Sequence, residues 1–337
     1  MIIKYSKRSR YRYIAFIIII STLLFFYFNY AKQIITRKHI PKMSRIKTIN
    51  SPSIRIIKNS SIVNIHKYDY LINPQYQICS NKNNLLLFTI LTRIDNFDRR
   101  QLIRSLWSNH TLKFNFNYVF MIGQSSNETL NQFVMNEFTK YGDIVQENFI
   151  DSYYNLTLKT IMSFKWVSKY CSNSVYSIKI DDDVVVNFNL VTNYLNSKRH
   201  NRVSKNEISC LIVDKAGVNR NTSSKHYASI EEYSEEFYPS YCASPVYVYQ
   251  TNLANYLFEI SKYVKFFKFE DVYFGLLISK LKYHNITDIN MNRISEKYND
   301  IRDISKIFVD GYFNSSQHFF HFHLNTENYI YIFNKIN

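Results

Sequence analysis

Three consecutive aspartates, Asp181–Asp183, are the residues of this 337-residue chain whose type and spacing most directly suggest chemistry. The alternating segment 176–180 before them predicts a strand, and Val184–Val186 after them predicts a second extended run. Neighbouring carboxylates repel one another and are costly to desolvate, so they add no stability to a strand. Carboxylate oxygens are, however, good ligands for divalent cations. The two interpretations are a cation site at a strand end and an acidic surface turn.

Alternating strand and helix patterns surround these aspartates. Apolar runs predict strands at 85–91, 118–122, 143–146 and 176–180, and periodic patterns predict helices at 98–107, 128–141 and 154–170. Gly142 follows the second helix in the C-cap position. This alternation indicates an α/β fold with a mostly parallel sheet. Ligands bind at the carboxyl ends of such strands, and because Asp181–Asp183 lie at one of these ends, the cation site is favoured.

The basic charge of the chain is concentrated at its N-terminus. The net charge is +16, but residues 1–50 contain eleven Lys or Arg residues and no Asp or Glu. The residues after position 82 carry a net charge of only +2. A nucleic-acid-binding domain would carry its basic residues on the folded body. The distribution therefore argues against nucleic acid as a partner.

An uncharged segment from Tyr13 to Ala31 predicts a membrane span of 19 residues. A cleaved signal peptide is the alternative, but no small-x-small cleavage pattern follows the run. We therefore expect an uncleaved signal anchor. Basic residues flank both ends of the segment, so the positive-inside rule does not decide its orientation.

Cysteines and glycosylation acceptor sites place the main body of the chain in an oxidising compartment. The four cysteines (Cys79, Cys171, Cys210 and Cys242) all follow the predicted span, and their even number is compatible with two disulfides of open pairing. Seven N-x-S/T sites also follow it, at Asn59, Asn109, Asn127, Asn155, Asn221, Asn285 and Asn314. The predicted organisation is a cytoplasmic tail (1–12), a transmembrane anchor (13–31), a polar stem (32–83) and a lumenal domain (84–337).

Several segments occur in the order of a known family's motifs. They are Arg99–Trp107, Phe120–Gly123, Glu137 with 141–144, Phe149–Thr160, Lys179–Val186, Tyr238–Cys242 and Glu270–Gly275. They resemble the motifs RRxxIRxTW, FLLG, ExxxYGDI, DFxDSYxNLTLKT, KxDDD, YPPYC and EDVYVG of the β-1,3-glycosyltransferases of glycosyltransferase family 31. Leu106 replaces the usual Thr and Asn148 the usual first Asp. The resemblance covers the chain from about residue 84 to the C-terminus.

The resemblance implies a GT-A type fold and inverting transfer of galactose or N-acetylglucosamine from a UDP-sugar to a glycan acceptor, with Mn²⁺ as cofactor. A divalent cation on the diphosphate stabilises the charge of the leaving UDP. By resemblance Asp183 is the direct metal ligand, Asp181 faces the ribose or uracil, and Asp182 holds the ribose or a water of the metal shell. His323 would complete the metal shell, its alternative role being that of a core or solvated histidine.

Inversion requires a carboxylate that accepts the proton of the attacking acceptor hydroxyl. By family position Asp271 is this base, and Glu270 orients the acceptor or supports the base. The alternative is that both acids simply cap the following helix, since acidic residues suit helix N-termini. The two roles are compatible, and at a helix start we expect Asp271 to have a depressed pKa.

Further polar residues are candidates for binding the donor. Arg100 and Arg104 lie four residues apart on one helix face and suit the diphosphate, but structural salt bridges are an equal alternative. Asp151 and Lys159 are expected to organise the donor pocket, and Lys179 to pair with the aspartates and limit their repulsion.

The main departure from the family pattern follows Cys242. The family has a glycine-rich turn there, whereas this chain has Ala243–Val246, which includes Ser244 and Pro245. The leading hypothesis is a single-pass type II Golgi membrane enzyme that forms β-1,3 linkages on glycoproteins or glycolipids. The alternative, motivated by this departure, is a catalytically inactive relative that acts as a lumenal binding or chaperone-like partner.

Overall fold

The computed structural model describes residues 61–79, 85–200, 206–283, 290–293, 298–300, 319–322 and 324–337. These residues all belong to the larger of two compact units of the chain, residues 52–337. The predicted tail, the anchor at 13–31 and the first part of the stem lie outside the described residues. Within the described part of the chain, no helix combines the length and the apolar character needed to cross a membrane.

Strands and helices alternate along most of the described chain. The strands are β1 (Tyr70–Ile72), β2 (Leu86–Leu91), β3 (Phe116–Gln124), β4 (Ile144–Ile150), β5 (Tyr176–Asp181), β6 (Val185–Val186), β7 (Glu207–Val213), β8 (Tyr241–Gln250), β9 (Asn290–Arg293), β10 (Tyr298–Asp300) and β11 (Phe320–Phe322). The helices are α1 (Phe97–Trp107), α2 (Thr111–Phe114), α3 (Glu128–Tyr141), α4 (Leu156–Tyr170), α5 (Phe188–His200), α6 (Leu253–Ser261), α7 (Glu270–Tyr283) and α8 (Thr326–Ile336). Helix α3 ends at Gly142, whose φ of 70° is the left-handed C-cap that the sequence predicts.

A mixed sheet of eight strands forms the centre of the domain, in the order β1-β4-β3-β2-β5-β8-β7-β9. The four strands β4, β3, β2 and β5 are parallel, whereas β5–β8 and β8–β7 pair antiparallel. The prediction of an α/β fold with a largely parallel centre is therefore confirmed. Leu91 pairs with Asp181 in the β2–β5 register, so the loop after β2 begins beside the aspartates.

Two apolar clusters cover the two faces of the sheet. Along β2, Leu87 and Leu91 belong to one cluster and Phe88 to the other, as the alternation of side chains in a strand requires. The first cluster contains Trp166 of α4 and the second contains Trp107 of α1, both with an exposed fraction of 1 % or less. These two tryptophans are core residues.

Residues 61–79 contribute to the folded domain, although the sequence analysis assigns them to the stem. Strand β1 pairs antiparallel with β4 at the sheet edge. The His66 Nε2 atom lies 2.6 Å from Glu147 Oε2, and Cys79 forms a disulfide with Cys171. The predicted domain start at residue 84 is therefore wrong for this segment, because its polar composition does not reveal contacts with residues about 80 to 90 positions away.

The C-terminal residues return to the aspartates through a small second sheet with the order β10-β11-β6. In this sheet Phe320 pairs with Val186 and His321 with Val185. Helix α8 follows, with Tyr329, Ile332 and Phe333 buried in the second apolar cluster. The chain end is thereby placed against the segment that follows Asp181–Asp183.

The segment after Cys242 lies inside strand β8. Cys242 forms the second disulfide with Cys210, so all four cysteines are paired. The β7–β8 register shifts between Cys210 and Ile212, which pair with Tyr247 and Cys242. Pro245 falls within this irregularity, where a strand tolerates a residue that cannot donate a ladder hydrogen bond.

Candidate active site

The three aspartates lie at the carboxyl end of β5, where the sequence analysis places them. Asp181 is the last residue of the strand, and its carbonyl accepts a 3.4 Å hydrogen bond from the Val184 N–H. The Asp183 carbonyl accepts from the Leu324 N–H at 3.2 Å, which fixes the C-terminal segment against the turn. The acidic turn is therefore held by backbone contacts from both sides.

Asp182 is anchored by the loop that follows β2. Its Oδ2 atom accepts hydrogen bonds from Thr92 Oγ1 at 2.6 Å and from Asn96 Nδ2 at 2.8 Å. Thr92 and Asn96 were not identified from the sequence, although their position just after a parallel strand is the signal that could have found them. Asp182 is thus oriented by two neutral donors.

Lys179 connects the aspartates to the second pair of carboxylates. Its Nζ atom lies 2.9 Å from Asp181 Oδ1 and 3.1 Å from Glu270 Oε2, and its side chain is only 2 % exposed. Burial alone would lower the pKa of Lys179, but Asp181 and Glu270 outweigh burial and raise it. The expected pairing of Lys179 with the aspartates is confirmed, and the contact with Glu270 extends it.

Glu270 is held from three directions at the start of α7. Besides Lys179, its Oε1 atom accepts hydrogen bonds from Thr160 Oγ1 at 3.0 Å and Tyr247 OH at 2.8 Å. The Tyr247 ring stacks on Phe274 with centroids 4.0 Å apart. Sequence analysis missed Thr160 and Tyr247, because their role depends on tertiary contacts of α4 and β8 with α7. This arrangement suits a supporting role for Glu270.

Asp271 begins the same helix and is partly exposed. Its Oδ1 atom accepts a 2.8 Å hydrogen bond from the Val272 N–H, so it contributes to capping α7. Burial, followed by the neighbouring charge of Glu270, raises the pKa of Asp271 despite that hydrogen bond. The expected depressed pKa is therefore wrong, since desolvation and like charge outweigh the helix start.

Like-charge crowding also acts on the aspartates. The pKa of Asp181 is raised to about 6. Burial is the largest cause and the charges of Asp183 and Glu270 add to it, whereas Lys179 acts in the opposite direction. The pKa of Asp182 is raised as well, chiefly by burial. Such crowding is relieved when a cation binds, because opposite charge favours the ionised form.

The fit of this site to a divalent cation depends on how many ligands the protein must supply. Among the described residues, no three or more His, Cys, Asp or Glu side chains are arranged to hold a metal ion. A cation that also binds substrate phosphates needs only one or two protein carboxylates. Asp181 and Asp183 belong to the acidic turn, and their carboxylates fit the role of these one or two protein ligands.

His323, the predicted histidine ligand of the metal ion, lies outside the described residues. The predicted donor-pocket residues Asp151 and Lys159 are both described. Asp151 and Lys159 form a buried ion pair, with Lys159 Nζ 2.9 Å from Asp151 Oδ1 and the Gly123 N–H donating to Asp151 Oδ2 at 2.9 Å. Burial lowers the pKa of Lys159 although Asp151 opposes it. This pair fixes the loop after β4, so it supports the pocket wall.

Arg100 and Arg104 both form buried ion pairs. The Arg100 Nη2 atom lies 2.7 Å from Glu137, and Arg104 contacts Glu137 at 2.6 Å and Asp143 at 2.7 Å. Both side chains are buried, and Arg100 also donates to the carbonyls of Arg93 and Ile94. Their guanidinium groups hold α1 against α3 and the start of β4. The salt bridges that the sequence offers as one alternative are therefore present, and donor binding by these residues stays a prediction.

Two solved structures show distant similarity to this chain. A glycosyltransferase involved in the glycosylation of the major capsid of PBCV-1 aligns with a TM-score of 0.37 and 8 % identity, covering 73 % of this chain and 98 % of that one. Apo mouse xyloside xylosyltransferase 1 aligns with a TM-score of 0.30 and 10 % identity, over 73 % of this chain and 99 % of that one.

Sequence comparisons are more specific. β-1,3-galactosyltransferase 1 of Mus musculus and of Homo sapiens are each 32 % identical over 239 residues, covering 70 % of this chain and 72 % of the relative. UDP-GalNAc:β-1,3-N-acetylgalactosaminyltransferase 1 of Mus musculus is 28 % identical over 283 residues, covering 80 % of this chain and 85 % of that one. The galactosyltransferase family model matches residues 98–289, which contain both carboxylate groups of the site. The chain therefore belongs to the galactosyltransferase family of β-1,3-glycosyltransferases, glycosyltransferase family 31.

Proposed function

We propose that this protein is an inverting β-1,3-glycosyltransferase that transfers galactose or an N-acetylhexosamine from a UDP-sugar to a glycan acceptor. The observation that carries the proposal is the link through Lys179 between Asp181, at the carboxyl end of β5, and Glu270, beside Asp271. Donor and acceptor chemistry need two carboxylate groups at a fixed separation, and one buried lysine joins them here. A GT-A type organisation of the domain belongs to the same proposal.

The donor side of the site is formed by Asp181–Asp183. Mn²⁺ bound there together with the donor diphosphate would stabilise the charge that develops on the leaving UDP. Asp183 and Asp181 would supply oxygen ligands, and Thr92 and Asn96 orient Asp182 toward the donor or its water shell. Asp151 and Lys159 keep the neighbouring loop in place.

The acceptor side is formed by the start of α7. Asp271 accepts the proton of the acceptor hydroxyl as that oxygen attacks the anomeric carbon, and its raised pKa makes it a stronger base than an ordinary aspartate. Glu270 is held in place by Lys179, Thr160 and Tyr247. Attack from the face opposite UDP then inverts the anomeric configuration.

In this proposal the protein is anchored in a Golgi membrane, with its folded domain in the lumen. This placement rests on the uncharged segment 13–31 and on seven acceptor sites for N-glycans that follow it. Two disulfides in the described domain agree with an oxidising compartment. Sensitivity of the expressed full chain to removal of N-glycans tests this orientation.

The decisive experiment is a donor screen with the full-length protein in detergent. UDP-galactose, UDP-N-acetylglucosamine and UDP-N-acetylgalactosamine are offered with Mn²⁺ and a panel of glycan acceptors, and the linkage of any product is determined. We expect transfer with one donor, loss of transfer in Asp183→Ala, and full transfer in the control Asp69→Ala, whose side chain is exposed.

Two results would refute parts of the proposal. Undiminished transfer by Asp183→Ala would remove Asp183 from the donor site. Absence of transfer and of UDP release with every donor and acceptor would favour the alternative of an inactive binding partner.

A further inference from the structure

Two large aromatic side chains are exposed at the edge of the candidate site. Tyr153 and Tyr154 lie in a short 3-10 turn between β4 and α4, with exposed fractions of 56 % and 55 %. Their rings meet edge to face with centroids 5.6 Å apart, and Ile150 beside them is 48 % exposed. Clustered exposed apolar side chains of this kind mark sites for ligands or partners.

Tyr153 lies in the turn that leads directly into helix α4. The following helix α4 contacts the region of the base directly, since Thr157 Oγ1 donates to the Phe267 carbonyl at 2.8 Å and Thr160 donates to Glu270. Burial raises the pKa of Tyr153, and the charges of Asp271 and Asp181 raise it further. Because the contacts of Thr157 and Thr160 lie about one to two helical turns after Tyr153, the turn that carries Tyr153 lies next to the start of α7, and more than half of the Tyr153 side chain is open to solvent.

A second tyrosine approaches Asp271 from another element. Tyr241 begins β8, and it packs so closely on α7 that a Cβ atom built on Gly275 would lie 2.6 Å from Tyr241 Cβ. Gly275 is one helical turn after Asp271 and shares its helix face. Two elements that carry tyrosines, the turn at Tyr153 and the start of β8 at Tyr241, therefore pack near the first turns of α7, which contain Asp271.

This combination of groups has the chemistry of a sugar site. A pyranose ring has apolar C–H faces, which pack on aromatic rings, and hydroxyl groups at its edge, which donate to carboxylates. A partly exposed ring also admits a glycan that extends into solvent. The donor is bound through its diphosphate on the Asp183 side, so the sugar that meets Asp271 and Tyr153 together is the acceptor.

We propose that the ring of Tyr153 is the platform on which the acceptor sugar stacks, with the attacking hydroxyl of that sugar directed at Asp271. The inference rests on the proposed function in taking Asp271 as the base. It adds a residue that touches substrate, and it assigns the exposed ring of Tyr153 to acceptor recognition.

The test compares Tyr153→Ala with Tyr154→Ala in the full-length protein. Tyr154 is a matched control, because it has the same side chain in the same turn at nearly the same exposure, and its one described contact is with the Tyr153 ring. For each variant the acceptor KM, the donor KM and kcat are measured. Binding of the methyl β-glycosides of galactose and N-acetylglucosamine is followed separately by saturation-transfer NMR, which does not require turnover.

We expect Tyr153→Ala to raise the acceptor KM about tenfold, with a much smaller change in donor KM, and to abolish the NMR signal of the bound glycoside. Tyr153→Phe and Tyr153→Trp should keep glycoside binding, since both retain a ring. A rise in donor KM with unchanged acceptor KM, or an equal loss in Tyr154→Ala, would overturn the inference. A protein that transfers no sugar but binds glycosides through Tyr153 would refute the proposed function and, with it, the attack of an acceptor hydroxyl at Asp271, and would leave only the stacking of a sugar on Tyr153.

Discussion

The ammonium group of Lys179 lies 3.1 Å from the Glu270 carboxylate, although the two residues are 91 positions apart. The same ammonium group is 2.9 Å from Asp181. One buried cation therefore sets the spacing between the end of β5 and the start of α7. Asp183 follows the first of these elements and Asp271 lies in the second, and the proposed function assigns substrate chemistry to both.

Removing this cation should cost stability as well as activity. We expect Lys179→Met to lower the free energy of unfolding by about 3 kcal/mol, because Asp181 and Glu270 lose their shared buried partner. The measurement is urea denaturation at pH 7 with the disulfides intact. Lys262→Met is the control, since the Lys262–Glu259 pair is about 30 % exposed on both sides and should cost less than about 1 kcal/mol. Equal effects in the two variants would contradict the role of Lys179.

Weakening the ion pairs of Arg104 in α1 should lower the stability of the protein and leave its affinity for the donor unchanged. Arg104 donates through Nε and Nη2 to Asp143 and through Nη1 to Glu137, and a lysine cannot span both carboxylates. We expect Arg104→Lys to cost about 2 kcal/mol of unfolding free energy and to leave the donor KM unchanged.

The control for this variant is Arg93→Lys, because the Arg93–Asp95 pair is exposed. An Arg104→Lys protein of normal urea midpoint but with a raised donor KM would favour the donor-binding interpretation of Arg104.

The strands, helices and caps around the site could be predicted from the sequence, whereas the contacts between distant segments could not. The strand before Asp181 and the helix that ends at Gly142 follow from periodicity and capping, because these are properties of neighbouring residues. The partner of Arg104 at Asp143 and the anchoring of Asp182 by Thr92 depend on how distant segments pack. Composition likewise could not distinguish a free stem from a segment that adds an edge strand.

The two disulfides should contribute unequally to stability. The Cys79–Cys171 bond closes a sequence separation of 92 residues, whereas Cys210–Cys242 closes 32. In the chain-entropy account the longer loop contributes about 4.6 kcal/mol and the shorter about 3.7 kcal/mol. We expect the double variant Cys79→Ala/Cys171→Ala to have a lower urea midpoint than Cys210→Ala/Cys242→Ala. The reverse order would show that the β7–β8 contact stores more stability than loop closure predicts.

Asp271 should lower stability while serving catalysis. Its pKa is raised in the folded protein, so the folded state holds its proton more tightly than the unfolded state. The contribution of this group to stability is consequently greatest below the unfolded pKa and is lost as the pH rises through the folded pKa. At pH 7 we expect Asp271→Asn to have a higher urea midpoint than the wild type and no transferase activity. Asp98→Asn, an exposed acid in the first turn of α1, should change neither property.

The raised pKa of Asp271 also predicts how transferase activity falls at low pH. Asp271 must be ionised to accept the hydroxyl proton, and burial together with Glu270 raises its pKa above the 3.8 of an ordinary aspartate. As the pH falls, kcat/KM should therefore decline with a midpoint above that value, because the base is lost to protonation earlier than in a solvated carboxylate. The profile is measured with saturating Mn²⁺ and with protein stability checked at each pH. A decline centred at or below the ordinary aspartate value would show that Asp271 is not the group whose ionisation limits transfer.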